Sequence, residues 1–146
     1  MTPDEAPVQP KVVIAGFGLP GRYVAETLEK TGVPYAVIEL NPNVVHLPHG
    51  PRRRIVCGTA TDPDTLRAAG IAGADLLALM IPGDDDVLAT LSAARAINPH
   101  IRAIARTAYT STGLQATALG NVTPVIAEQL VALEAARLVT KLALKP

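Results

Sequence analysis

The stretch Val12-Val13-Ile14-Ala15-Gly16-Phe17-Gly18-Leu19-Pro20-Gly21 decides how the rest of this chain reads. Its first part is apolar, largely β-branched and without alternation, which predicts a strand buried on both faces. The residues after it are spaced G-x-G-x-x-G. Beyond them, Arg22 to Glu29 places Val24, Ala25 and Leu28 on one face at helical spacing, and Gly32 supplies the stop. A glycine triplet alone says little; between a strand and a helix it says much more. Gly16 then permits the tight turn out of the strand, Gly18 lets a phosphate approach the backbone, and Gly21 lets the helix lie close to the sheet. Free amides and the dipole at the helix start favour an anion there.

Outward from that turn, Tyr35-Ala36-Val37-Ile38 reads as a second buried strand, ended by Glu39. Glu39 lies 18 positions after Gly21. That is close to the spacing of about 20 at which such turns are followed by an acid that accepts from ribose hydroxyls. A carboxylate in that place repels a 2′-phosphate, so NAD(H) or an adenine nucleotide such as AMP is expected rather than NADP. Asn41-Pro42 starts a short helix, which Pro48, Gly50 and Pro51 break.

The alternation continues to the end of the sheet. Strands are expected at Arg54–Cys57, Leu76–Met80, Ile101–Ala105 and Val122–Ile126, the last an edge strand because it contains proline. Between them lie a helix capped by Asp62-Pro63, a helix opened by Asp84-Asp85-Asp86, and a weaker helix over Leu114–Leu119. This order predicts the α/β class, with a doubly wound, parallel, six-stranded sheet of the Rossmann type. Residues 1–10 read as a flexible leader, 11–126 as the nucleotide-binding domain, and 127–146 as a terminal crossover or dimerisation helix.

Composition removes several classes of function. Thirteen basic residues balance 13 acidic ones, so no net field draws the chain to nucleic acid or an anionic membrane. One Phe, three Tyr and no Trp leave little to stack on exposed bases. The single Cys57 cannot form an internal disulfide and fits a reducing, cytoplasmic setting. Thr107–Ala127 is an uncharged run, but its Gly, Asn, Thr and Pro content argues against a membrane span. His46, His49 and Cys57 lack zinc spacing. Asp84-Asp85-Asp86 is better explained as acid at a helix start than as a cation site, and Arg52-Arg53-Arg54 as a solvated loop.

In such sheets a ligand lies outside the carboxyl ends of the strands, where the strand order reverses. The residues expected there are Gly16, Phe17, Gly18, Leu19, Pro20, Gly21 and Arg22, then Glu39, Leu40 and Asn41. Gly58, Thr59, Ala60 and Thr61 join them, with Met80, Ile81, Pro82 and Arg106. Pro20 removes one amide donor from the turn. Arg22 serves either as a compensating phosphate contact or as an exposed first-turn residue. Arg106 serves either a phosphate or a structural ion pair. No nucleophile elbow, Gly-Lys-Ser/Thr phosphate loop or Cys-x-x-Cys pair is present. No catalytic residue is therefore expected, which disfavours a small NAD-dependent oxidoreductase; the other alternative, a dimerisation module with a vestigial nucleotide site, is kept open by Pro20 and Thr59.

The segment Ala127–Leu144 reads as a helix with a narrow polar stripe of Glu134, Arg137, Lys141 and Lys145. Val131, Ala135, Leu138 and Leu142 make one apolar face, and Leu133 and Leu144 lie beyond the stripe. A helix apolar over so much of its circumference meets more than one surface. It either packs on its own sheet and on a partner, or is a buried core helix.

In this order the pieces resemble a known family. Val13 to Arg22, Val37-Ile38-Glu39-Leu40-Asn41, Cys57-Gly58-Thr59-Ala60-Thr61-Asp62, Leu66 to Ile71, Ala74-Asp75 and Ile104-Ala105-Arg106-Thr107 are similar to the RCK N-terminal (TrkA-N) domain. The nearest likeness is to the cytoplasmic domain of Kef-like potassium/proton antiporters. The resemblance implies a Rossmann domain that binds NAD(H), AMP or a related nucleotide. It further implies dimerisation partly through the last helix, and signalling to a membrane potassium channel, transporter or antiporter. One departure is Thr59, where the family usually has an acid. The membrane part and second RCK subdomain are absent from the sequence, which fits a free-standing subunit or a domain excised from a longer transporter.

Overall fold

The computed structural model describes residues 8–46 and 50–145, and in it all six expected strands lie parallel in one sheet. They are β1 (Val12–Ala15), β2 (Tyr35–Glu39), β3 (Arg53–Cys57), β4 (Leu76–Leu79), β5 (Arg102–Thr107) and β6 (Val122–Ile126). Their order is β3-β2-β1-β4-β5-β6. The order reverses between β1 and β4, so the doubly wound arrangement expected from the sequence is the one present. Most of the leader, Pro48 and His49 lie outside the described residues, as do the side chains of Val45 and His46.

The helices are α1 (Leu19–Thr31), α2 (Pro63–Ala68), α3 (Asp84–Ile97), α4 (Thr110–Ala118) and α5 (Ala127–Ala143). Because side chains alternate across a strand, β1 feeds two cores. Val13 and Ala15 join Leu77, Leu79, Leu66, Val87 and Leu91 on one face. Val12 and Ile14 join Tyr35, Val37, Ala78 and Ala25 on the other. A strand with both faces covered has no polar side, which is why Val12–Ala15 reads as an unbroken apolar run.

Strand ends and the end of α5 shift by one or two residues from the sequence reading, and three helical segments differ more. Helix α1 begins at Leu19, not Arg22, with Gly18 as its N-cap and Pro20 within its first turn. A proline there loses an N–H that has no intrahelical partner, and its fixed φ suits the position. The turn after Asn41 is a 3-10 helix, Pro42–His46, started by Asn41 Oδ1 accepting from the Asn43 amide at 3.0 Å. Helix α4 starts at Thr110, four residues before the expected Leu114. Its first turn, Thr-Ser-Thr-Gly, is poor helix-forming sequence, and it is held by Glu128, whose carboxylate accepts from the Thr110 amide and hydroxyl.

The proline strand β6 is at the sheet edge, with Pro124 opposite Ala105. Helix α5 follows it directly and has no buried residue. Its first turn is tied down through the Glu128 amide, which donates to Ala108 O at 3.2 Å. Beyond that turn it presents Leu130, Val131, Leu133, Leu138, Val139 and Leu142 to solvent. Of the two readings left open by the sequence, burial in the chain's own core is excluded.

Candidate functional site

A cavity of about 630 Å³ opens at the carboxyl ends of the strands, across the β1/β4 reversal. Its size is within the range of small-molecule and cofactor sites. The glycine turn forms its centre. Gly16 leaves β1 at φ +97°, and a Cβ there would lie 2.9 Å from the Met80 backbone. Only glycine combines that conformation with that proximity. Gly21 serves a different need: a Cβ on it would collide with the carbonyl oxygen of Gly16, so α1 sits this close to the turn only without a side chain. Gly18 has nothing within 4 Å of where its Cβ would be. Its bareness keeps the cavity open rather than serving the packing.

Phe17, between the glycines, is turned inward and buried. Its amide donates to Glu39 Oε2 at 3.3 Å, joining the turn to the end of β2. Its ring carries two guanidinium groups, Arg53 at 5.0 Å and Arg22 at 5.7 Å from the centroid. Arg22 also donates through Nε to the Phe17 carbonyl at 3.2 Å. In this position Arg22 braces the turn from behind.

Fifteen of the expected residues line the cavity: Gly16, Phe17, Gly18, Leu19 and Pro20 from the turn, Glu39 and Leu40 at the end of β2, Gly58, Thr59, Ala60 and Thr61 after β3, Met80, Ile81 and Pro82 after β4, and Arg106 from β5. Three residues expected at the site are not: Gly21 is inside α1, Arg22 is held by Phe17, and Asn41 caps the 3-10 turn. The physical reason is common to all three. Each is engaged locally: Gly21 lies against the Gly16 carbonyl, the Arg22 side chain is bonded to the Phe17 carbonyl, and the Asn41 side chain to the Asn43 amide.

The structure adds Ile38, Asp86 and Thr90 to the wall. Asp86 and Thr90 are four residues apart on α3, hence on the same helix face. That spacing, at the start of the first helix beyond the strand reversal, was the available signal. It is masked in the sequence by the neighbouring Asp84 and Asp85. Asp84 instead accepts from the Ala108 amide at 2.8 Å and fastens α3 to the loop after β5. Burial raises the Asp84 pKa, but hydrogen bonds from Ala108, Thr112 and Tyr109 outweigh it, and the net shift is downward.

The arrangement suits a ligand with an anion near the glycine turn and hydroxyl donors near Glu39. Leu19 and Gly21 carry first-turn amides free of helical partners, while Pro20 carries none. Among the described residues the cavity wall has no His, Lys, Tyr or Cys side chain. No group of three or more His, Cys, Asp or Glu residues suited to a metal ion occurs among the described residues.

Comparison with known proteins agrees with this architecture. A protein named as a K(+) efflux antiporter, KefB of Alkalimonas amylolytica, is 39% identical over 100 residues, covering 68% of this chain and 15% of that protein. The chain thus corresponds to a small part of that relative's length. The TrkA-N domain of the inner membrane protein ybaL from Escherichia coli superposes with a TM-score of 0.82 at 27% identity, over 92% of this chain and 99% of that one. The Kef CTD of Shewanella denitrificans, in an AMP-bound form, superposes with a TM-score of 0.67 at 27% identity, over 88% of this chain and 80% of that one. The profile of the TrkA-N domain matches residues 12–126, from the first residue of β1 to the last of β6, and the chain belongs to the TrkA-N domain family.

Proposed function

We propose that this chain is a nucleotide-sensing regulatory module of a potassium channel, transporter or antiporter, with NAD(H) or AMP as its ligand. The observation that carries the reading is the Glu39 carboxylate beside the glycine turn in the wall of one cavity. It offers an acceptor for ribose next to a place for phosphate. The likeness to an AMP-bound Kef domain and to the KefB antiporter supports the same reading. Glu39, Leu40 and the Gly58–Ala60 turn hold the nucleoside, and the amides around Gly18 hold the phosphate.

The module acts by binding differently to two conformations of a larger assembly, not by turnover. The lack of an imidazole, amine or phenol in the cavity wall, among the described residues, supports the non-enzymatic reading. No helix among the described residues is long and apolar enough to cross a membrane. We place the module on the cytoplasmic face, joined to a membrane partner and paired with a second copy through α5. The test is thermal unfolding with NAD⁺, NADH, NADP⁺, AMP, ADP and ATP, since a ligand specific for the folded state raises Tm. NAD(H) or AMP should raise it most; no shift with any nucleotide would reject the sensor.

A further inference from the structure

We infer that Arg53, at the amino end of β3, is a positioning residue of the candidate site: it holds the glycine turn in shape through the ring of Phe17. The inference rests on the nucleotide reading above and concerns how the phosphate-facing part of that same cavity is kept in order.

The turn needs holding. Phe17 is flanked by Gly16 and Gly18, and glycine is the least restricted of residues. At one side the Gly16 amide donates to Ile38 O at 2.9 Å, and at the other the Gly18 carbonyl accepts from the Arg22 amide as α1 begins. Between these anchors the turn is held through Phe17. Its amide donates to Glu39 Oε2, its carbonyl accepts from Arg22 Nε, and its ring carries the Arg53 guanidinium 5.0 Å from the centroid. Glu39 and Arg22 are neighbours of the turn, at the end of β2 and near the start of α1.

Arg53 comes from much farther away. In the sheet register it is opposite Tyr35, and Tyr35 is opposite Val12, so Arg53 is level with the start of β1. Phe17 follows the other end of that strand. At about 3.3 Å per residue, Val12 and Ala15 are about 10 Å apart, so the ring and the guanidinium together reach along the sheet. Phe17 packs there with Val37, Val44 and Met80 and is only 5% exposed. A cation over an aromatic ring is held more strongly where water is kept from the pair. The guanidinium is itself anchored: it bonds the Tyr35 hydroxyl, which donates in turn to Glu29 Oε1 at 2.8 Å. Arg53 is thus a strut, fixed at Tyr35 and resting on Phe17.

Arg53 is not in the cavity wall, where Arg106 is the one cationic side chain among the described residues. Its effect on a ligand therefore passes through the turn. Without Arg53 the Phe17 ring is freed, and a ligand has to order the turn as it binds, which weakens affinity.

The experiment compares wild type, Arg53→Met and Arg53→Lys of the full chain, by calorimetric titration with AMP and NAD⁺ and by amide hydrogen exchange without ligand. Arg53→Met keeps a long apolar stem and loses the cation. It should bind both nucleotides about three- to tenfold more weakly, the scale of one cation–π contact. Its Phe17 amide should exchange at least about threefold faster relative to the β1 amides, which report any general loss of stability. Arg53→Lys, with a cation but no flat guanidinium, should fall between the two. Wild-type affinity in Arg53→Met would overturn the inference. So would weaker binding with unchanged exchange at Phe17, since the charge would then act on the ligand directly. Equal acceleration at Phe17 and β1 would also reject it, leaving Arg53 a general stabiliser. Binding of neither nucleotide by wild type would instead reject the nucleotide reading, while exchange at Phe17 would still decide whether Arg53 holds the turn.

Discussion

The Phe17 amide donates to the Glu39 carboxylate at 3.3 Å, so the glycine turn and the end of β2 form one unit rather than two adjacent loops. One carboxylate oxygen, Oε2, is used by the turn, and the acid as a whole faces the cavity. Glu39 thus braces the glycine turn and, in the proposed nucleotide site, is the acceptor for ribose.

Both roles make Glu39→Ala a demanding test. It should weaken NAD⁺ or AMP binding by about tenfold or more, the scale for hydrogen bonds to a charged group, as read by calorimetric titration. Glu39→Gln, which keeps an acceptor and loses the charge, should fall between the two and narrow the gap between NAD⁺ and NADP⁺. If Glu39→Ala bound as wild type does, the ribose would have to lie elsewhere.

The glycines of the turn separate folding from binding. At Gly21 a methyl group would strike the Gly16 carbonyl, a backbone atom that cannot swing away. Gly21→Ala should lower stability by about 1–3 kcal/mol, as overpacking does, and lower Tm with it. At Gly18 a methyl meets no protein atom within 4 Å and the backbone is at φ −71°. Gly18→Ala should therefore keep the wild-type Tm without ligand and lose the nucleotide-induced rise. A Gly18→Ala protein with full ligand stabilisation would show that no phosphate approaches this backbone.

How much of this was legible in the sequence depends on what each residue answers to. Val12–Ala15, the glycine spacing and Glu39 answer to the sheet itself, and the unbroken apolar run and the turn chemistry state that directly. Pro124 within a strand pointed to the sheet edge, and β6 is there. Arg22 and Asn41 were read by proximity in sequence to the site, whereas their side chains follow short-range partners, the Phe17 carbonyl and the Asn43 amide. Thr90 was hard to read for the opposite reason. Its place in the cavity depends on α3 folding over β4 from across the strand reversal, and its spacing of four residues from Asp86 is the only local mark of it.

Tyr35 gives a prediction in pH. Its hydroxyl donates to Glu29 Oε1 at 2.8 Å, and the same oxygen accepts from the Gly50 amide at 3.1 Å. Burial, then the bond to Glu29, push the phenol up to about 12 from 10.0. The folded chain therefore holds its proton where the unfolded chain has released it. That stabilisation is complete below pH 10 and is lost as pH rises from 10 toward 12. Tyr35→Phe should be about 1 kcal/mol less stable at neutral pH and should lose less stability than wild type across that alkaline range, as measured by urea unfolding. Parallel wild-type and variant curves would mean that Tyr35 does not titrate there.

The last helix makes a prediction about assembly. Leu133 is 70% exposed and Leu138 41% exposed, and no residue of α5 is buried against the chain's own sheet. Each leucine taken out of water contributes about 1.5–3 kcal/mol, so a surface that covers these side chains is stabilised by their burial. In the proposed homodimer a second copy of the same helix covers it with a self-complementary surface, the commonest form of pairing among soluble homo-oligomers. Wild type should then sediment as a dimer, and Leu138→Asp, which puts a carboxylate into the covered patch, as a monomer. Because α5 lends nothing to the core on either face of the sheet, the β1–β6 domain of the variant should retain its nucleotide-induced Tm shift. Sedimentation of both proteins as the same species would exclude α5 as the dimer contact.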